Sequence, residues 1–124
     1  MLELAPGWST EVDRGPGWLM VRVYPPDSQS EQPDLAHAIW ALAEQQFTYR
    51  IVLELDHFSH LSSWVIGQLV LLHRRIGARG GCLRLCGLSE SNQLALRLAR
   101  LDGRLPNYET RAEAILGCRP VNPR

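Results

Sequence analysis

The chain has 124 residues, of which 45% are hydrophobic and 21% charged, and its formal net charge is zero. This composition is typical of one globular domain, and no apolar run reaches the ~18–20 residues that a membrane-spanning helix needs. All 13 basic residues are arginine, which excludes a Walker-type phosphate loop and any chemistry that uses a lysine.

The first part of the sequence is typical of a β-hairpin followed by a helix. Residues 9–12 form a short predicted edge strand, residues 13–17 a turn, and residues 18–24 a largely apolar strand. Asp34 can cap a helix to about Phe47, because apolar residues recur there every three or four positions.

The rest of the sequence alternates between the two element types. The predicted strands are residues 50–56, 82–87 and 105–108, and the predicted helices are residues 64–78, 89–101 and 110–116. This alternation predicts an α/β fold with a mixed, mostly parallel sheet, helices mainly on one side and the hairpin strand at an edge. We assign residues 9–116 to the domain, residues 1–8 to an N-terminal extension and residues 117–124 to a C-terminal tail. The start of the chain does not resemble a signal peptide, so we expect a cytoplasmic location.

Two adjacent serines lie where the second predicted helix begins. One of Ser62 and Ser63 is expected to cap the helix. A phosphate at this place would be held by the free N–H groups of the first turn and would add negative charge to a docking surface. Trp64 is either a core residue or an exposed aromatic anchor, a residue type enriched in binding hot spots.

Residues 12–115 are similar to the STAS domain of bacterial anti-sigma-factor antagonists. In that family an Asp-Ser-Ser-Gly segment follows the central strand, and a partner kinase phosphorylates one of its serines. An ungapped comparison aligns this segment with residues 62–65 and also aligns the family's landmarks with Gly67, residues 80–81 and residues 86–89. The resemblance implies a STAS fold with Ser63 as the phosphoacceptor.

The segment differs from the family pattern at two positions. Ser62 stands where the family has its acidic residue, and Val65 where it has its glycine. A shift of one residue would make Ser62 the acceptor instead of Ser63, but it would lose the agreement at Gly67. Both serines therefore stay candidates, with Ser63 preferred.

The resemblance implies a non-enzymatic module that regulates transcription. It would bind an anti-sigma factor or a histidine-kinase-like serine kinase through His60, Ser62, Ser63 and Trp64. Two alternatives stay open: a degenerate, unphosphorylated STAS domain that acts as a scaffold or sensor in a signalling assembly, and a nucleotide-binding STAS domain. The sequence shows no glycine-rich phosphate loop.

Neither a catalytic nor a metal site is predicted. Either serine with Asp56 and His57 or His60 could be drawn as a hydrolase triad, but these residues lie on one short stretch without a Gly-x-Ser-x-Gly motif. Cys82 and Cys86 are four residues apart, which places both on one face of a strand as buried thiols and does not match zinc-ligand spacing. We therefore expect no cofactor.

Charge is unevenly distributed along the chain. Residues 1–62 carry three arginines against nine acidic residues, and residues 63–124 carry ten arginines against four. Arg97, Arg100 and Arg104 are predicted to share one side of the third helix, either as a solvated face or as a patch that meets an acidic partner. A neutral domain with no aromatic platform among its arginines is not expected to bind nucleic acid. The sequence does not predict the oligomeric state.

Overall fold

A computed structural model describes residues 2–27 and 32–117. Within these residues the elements in chain order are β1 (Leu2–Ala5), β2 (Trp8–Gly15), β3 (Trp18–Tyr24), α1 (Leu35–Gln46), β4 (Arg50–Glu54), α2 (Ser63–Ala78), β5 (Cys82–Cys86), α3 (Glu90–Leu98), β6 (Asn107–Tyr108) and α4 (Arg111–Leu116).

The strands form one mixed sheet in the order β1-β2-β3-β4-β5-β6. The first three strands are antiparallel neighbours, whereas β3 to β6 run parallel, with Leu19 beside Ile51 and Ile51 beside Leu83. Each pair of parallel neighbours is joined by a crossover connection that contains a helix: α1, α2 and α3 in turn. The predicted α/β fold class is confirmed.

Alternation along the strands divides the core between two faces of the sheet. Leu19, Val21 and Val23 of β3 face the larger core, which also contains the buried side chains of α1, α2 and α3. Trp18 and Met20 face the opposite side, where the smaller core includes Val52, Cys86, Tyr108 and Ala114 of α4. Three helices thus cover one face and one short helix covers part of the other, so the prediction of helices mainly on one side is correct.

The sheet begins earlier in the chain than the sequence predicted. Leu2–Ala5, placed in the N-terminal extension, form β1 and pair with the outer side of β2. The predicted edge position of the hairpin strand is therefore wrong, because β1 is the edge strand. Leu4 and Ala5 pack against the main core, which explains why so short a segment joins the sheet.

Side-chain caps determine where the helices begin. Asp34, Ser89 and Thr110 each accept a hydrogen bond from the backbone N–H three residues later. Helix α3 ends at Leu98, before the predicted end at residue 101, and Arg100 has a left-handed φ of 60°. Arg97, Arg100 and Arg104 were predicted to share one side of this helix. That prediction is wrong, because only Arg97 of the three lies on the helix. The predicted C-terminal tail, residues 117–124, lies outside the described residues except for residue 117.

Candidate binding surface at the start of helix α2

Ser62 is the residue that caps α2. Its backbone is extended, with φ −74° and ψ 163°, and its Oγ accepts a hydrogen bond from the N–H of Val65 at 3.2 Å. One of the two serines was expected to cap the helix, and Ser62 does so. This leaves the neighbouring serine without a capping role.

Ser63 is the first residue of α2 and is exposed. Within the described part of the chain no hydrogen bond involves its hydroxyl. The predicted position of Ser63, accessible at the helix start beside Ser62, agrees with the structure. The first turn of a helix carries unpaired N–H groups and a partial positive charge, so its surroundings favour an anion.

The loop before α2 is held in place by a buried side chain of α3. The amide of Asn92 accepts from the N–H of Leu61 at 3.0 Å and donates to the carbonyl of Phe58 at 3.0 Å. Asn92 is 2% exposed, and both bonds are buried. Sequence analysis missed Asn92, because nothing in its local pattern shows which backbone groups it meets. Its role is to fix the loop that carries Ser59 and His60.

Trp64 packs against a small aromatic cluster. Its ring lies edge-on to Trp8 with centroids 5.8 Å apart, and Trp8 also contacts Phe58 at 6.1 Å. Trp64 is half-buried, whereas Trp8 and Trp40 are each 6% exposed, as expected of packing residues. Trp64 therefore combines the two predicted roles, since one part contacts the core and the rest faces solvent.

An open groove of about 300 Å³ runs beside the start of α2. It brings His60, Ser62 and Trp64 together with the segment after β3. The lining residues are Trp8, Pro25, Pro26, Asp27, Phe58, Ser59, His60, Ser62, Trp64 and Val65. Three of the four predicted partner-binding residues thus line one groove, and Ser63 lies beside it at the helix start.

Two of the side chains drawn as a hydrolase triad, those of Asp56 and His57, lie outside this groove. The His57 ring contacts the Tyr24 ring in a tilted arrangement with centroids 4.4 Å apart, and its Nε2 lies 3.8 Å from an oxygen of Asp56. Neither His57 nor Asp56 lines the groove that contains His60. Among the described residues, Ser62 and His60 share the groove, but the carboxylate of Asp56 lies outside it, so the three members drawn as a triad do not meet there.

A charged network lies on the sheet face that α4 partly covers. The buried carboxylate of Glu54 bonds to Arg22 at 2.8 Å and to Arg111 at 2.5 Å, and Arg111 also reaches Asp13 at 2.9 Å. The hydrogen bond to Glu54 raises the pKa of Arg111. Arg111 thereby ties α4 to β4 and β2. Sequence analysis missed this network, because Glu54 lies within an apolar strand.

The two cysteines of β5 share one face of the strand, as predicted, but of the two only Cys86 is buried. Both face the smaller core, with Cys86 buried and Cys82 packed at its margin. Burial raises the pKa of Cys86 to about 12, so the thiol stays protonated at neutral pH. Among the residues that the structure describes, no group of three or more His, Cys, Asp or Glu side chains could hold a metal ion. No helix in the described ranges is long and apolar enough to cross a membrane.

Comparison with known families and folds points to a single group. The model of the STAS domain family matches residues 11–114. An anti-sigma factor antagonist from Mycobacterium paratuberculosis is 23% identical, with a TM-score of 0.73 over 91% of this chain and 96% of that one. An anti-sigma-factor antagonist (STAS) domain protein from Planctomyces limnophilus is also 23% identical, with a TM-score of 0.71 over 87% and 96% of the two chains.

A third similar fold comes from the stressosome, a signal integration and transduction hub. That chain is 14% identical, with a TM-score of 0.67 over 86% of this chain and 94% of the other. At these identities the similarity shows a shared fold. No match is found among the curated proteins.

Proposed function

We propose that this chain, which belongs to the STAS domain family, is an anti-sigma-factor antagonist. Its partner binding would be controlled by phosphorylation of Ser63. It would bind an anti-sigma factor or a histidine-kinase-like serine kinase in the cytoplasm and so regulate transcription. No catalytic step is proposed for the chain itself. The contact surface would be the start of α2 with the adjacent groove.

The different positions of the two serines support this proposal most directly. Ser62 caps α2 through its Oγ, whereas Ser63 is exposed and its hydroxyl is available to an incoming kinase. A phosphate on Ser63 would add ~1.5–2 negative charges at the start of α2, next to Trp64, without removing the cap. Charge placed in a contact surface causes repulsion and desolvation, which weaken binding.

The aromatic cluster explains how partner contact could be strong. Trp64 keeps part of its ring exposed while Trp8 holds the rest in place. An aromatic side chain that is fixed before binding loses little conformational entropy when a partner covers it. His60 and Ser62 would form the polar rim of the same groove.

Phosphorylation by the cognate kinase tests the proposal. Wild type, Ser63→Ala and Ser62→Ala are incubated with the kinase and ATP, and the modified residue is identified by mass spectrometry. We expect Ser62→Ala to be phosphorylated and Ser63→Ala not. Calorimetry should then show that Ser63→Asp binds the partner ~10–100-fold more weakly than Ser63→Ala, since charge repulsion and desolvation can cost a few kcal/mol. Equal affinity of these two variants would rule out the switch.

A scaffold or sensor domain without phosphorylation is the second candidate. The observation that favours it is the neutral Ser62 at the position of the family's acidic residue, together with the fold shared with a stressosome chain. In that case Ser63 is only a surface residue, and the kinase would modify neither serine. A nucleotide-binding STAS domain is the remaining alternative, and equilibrium dialysis with GTP and ATP tests it.

A further inference from the structure

A second cavity lies on the other half of α2, away from the groove. Its volume is about 190 Å³. One wall is formed by α2 and the other by the segment that follows α3. The lining residues are Val70, His73, Arg74, Leu101, Arg104 and Leu105.

The charged residues that line this cavity are both arginines. Ion pairs in the described ranges involve the cations Arg22, His57, Arg79 and Arg111, so neither Arg74 nor Arg104 has a carboxylate partner there. Two arginines that line one concave surface favour an anionic group there, and arginine pairs with carboxylates in a planar, two-bond geometry.

The floor of the cavity is apolar. Leu105 is 1% exposed, and Val70 and Leu101 are half-buried beside it. At about 190 Å³ the cavity is smaller than the ~300–1,000 Å³ of pockets that enclose a drug-sized ligand. A single carboxylate side chain with an apolar neighbour fits both the size and the lining.

The cavity and Ser63 lie on the same face of α2. At ~100° per residue, positions i, i+7 and i+11 of a helix point in nearly the same direction, which aligns Ser63, Val70 and Arg74. Gly67 lies on this face as well, and a side chain there would meet nothing within 4 Å. Ser63 and Arg74 are separated by roughly 16 Å along the axis. One extended or helical segment of a partner can therefore contact both ends of the face.

We infer that this face of α2 docks an acidic segment of the protein partner, with one carboxylate side chain in the cavity between Arg74 and Arg104. The identity of that partner rests on the proposed function, but the docking chemistry does not. The arginine-rich second half of the sequence would supply the attraction, and the phosphate at Ser63 would oppose it from the other end of the same face.

The test uses the full chain and a probe peptide, acetyl-Glu-Leu-Glu-Leu-Glu-amide, with its glutamine counterpart as control. Nuclear magnetic resonance titration should show saturable shifts at residues 70–74 and 101–105 with the glutamate peptide and none with the glutamine peptide. Arg74→Gln and Arg104→Gln should each raise the dissociation constant by about fivefold, the upper range for a partly exposed ion pair.

Arg97→Gln is the matched control, because Arg97 is exposed and lines a different cavity. It should change the dissociation constant by less than about twofold, since general charge effects on exposed pairs are small. An equal loss in Arg97→Gln, no saturable shifts with the glutamate peptide, or equally tight binding of inorganic phosphate at residues 70–74 would overturn the inference.

These results separate the inference from the proposed function. Saturable peptide binding with no kinase modification of Ser63 would leave the docking face intact and remove the switch. Modification of Ser63 without peptide binding would support the switch and refute the acidic docking segment.

Discussion

Replacing Asn92 with alanine removes the side chain that holds the loop before α2. Two buried backbone groups would lose their partners, the N–H of Leu61 and the carbonyl of Phe58, each now bonded at 3.0 Å. A buried polar group left without a partner costs ~1–3 kcal/mol, so we expect Asn92→Ala to lower the free energy of unfolding by about 2–4 kcal/mol. Hydrogen exchange at the Leu61 amide should accelerate more than at buried amides of β4.

Asn107→Ala is the matched control for this prediction. Asn107 is half-buried and its side chain makes a single longer contact, accepting from the N–H of Leu88 at 3.3 Å. We expect a loss below ~1 kcal/mol in urea unfolding for Asn107→Ala. If both variants lost the same stability, or if Asn92→Ala lost less than ~0.5 kcal/mol, the loop would be held by its apolar contacts and the reasoning would be wrong.

Three further predictions concern the cap, the buried thiol and the charged network. Ser62→Ala should lose ~1 kcal/mol of unfolding free energy and Ser63→Ala almost none, as urea unfolding would show; the reverse order would mean that Ser63 is the cap. Cys86 should react with iodoacetamide at pH 8 far more slowly in the native protein than in the unfolded protein. The reaction should become faster as the pH approaches the Cys86 pKa of about 12, and peptide mass spectrometry measures the extent of alkylation. Arg111→Ala should lower the free energy of unfolding, measured in urea, by only ~1–2 kcal/mol, because Arg111 is partly exposed and Glu54 would still bind Arg22. An unchanged free energy of unfolding would show that α4 does not depend on Glu54.

The predicted helices and strands agree with the structure where the decisive interactions are local. Asp34, Ser62 and Ser89 cap helices that begin within a residue of their predicted starts, because a cap bonds to a backbone group three positions away. Strand β4 was predictable from its continuous apolar run, Ile51 to Leu53, which is typical of a strand covered on both faces.

The features that were missed depend on distant contacts. Strand β1 is too short to be recognised, and it forms because β2 offers an unpaired edge and the core accepts Leu4. Asn92 and Glu54 looked like ordinary polar residues, and their partners come from other elements. The cavity with Arg74 and Arg104 joins residues 30 positions apart, so no local pattern shows that they lie together.

The two ends of the sheet have a consequence for how the molecule can assemble. At one end β1 has four residues, a register shift between Glu3 and Ala5, and Pro6 directly after it. At the other end β6 has only two residues. Short or irregular edges offer few aligned N–H and C=O groups to a foreign strand, which protects a protein from polymerising through its backbone. A partner of this molecule would therefore gain few backbone hydrogen bonds by adding a strand to the sheet, and most of its contacts would be with side chains.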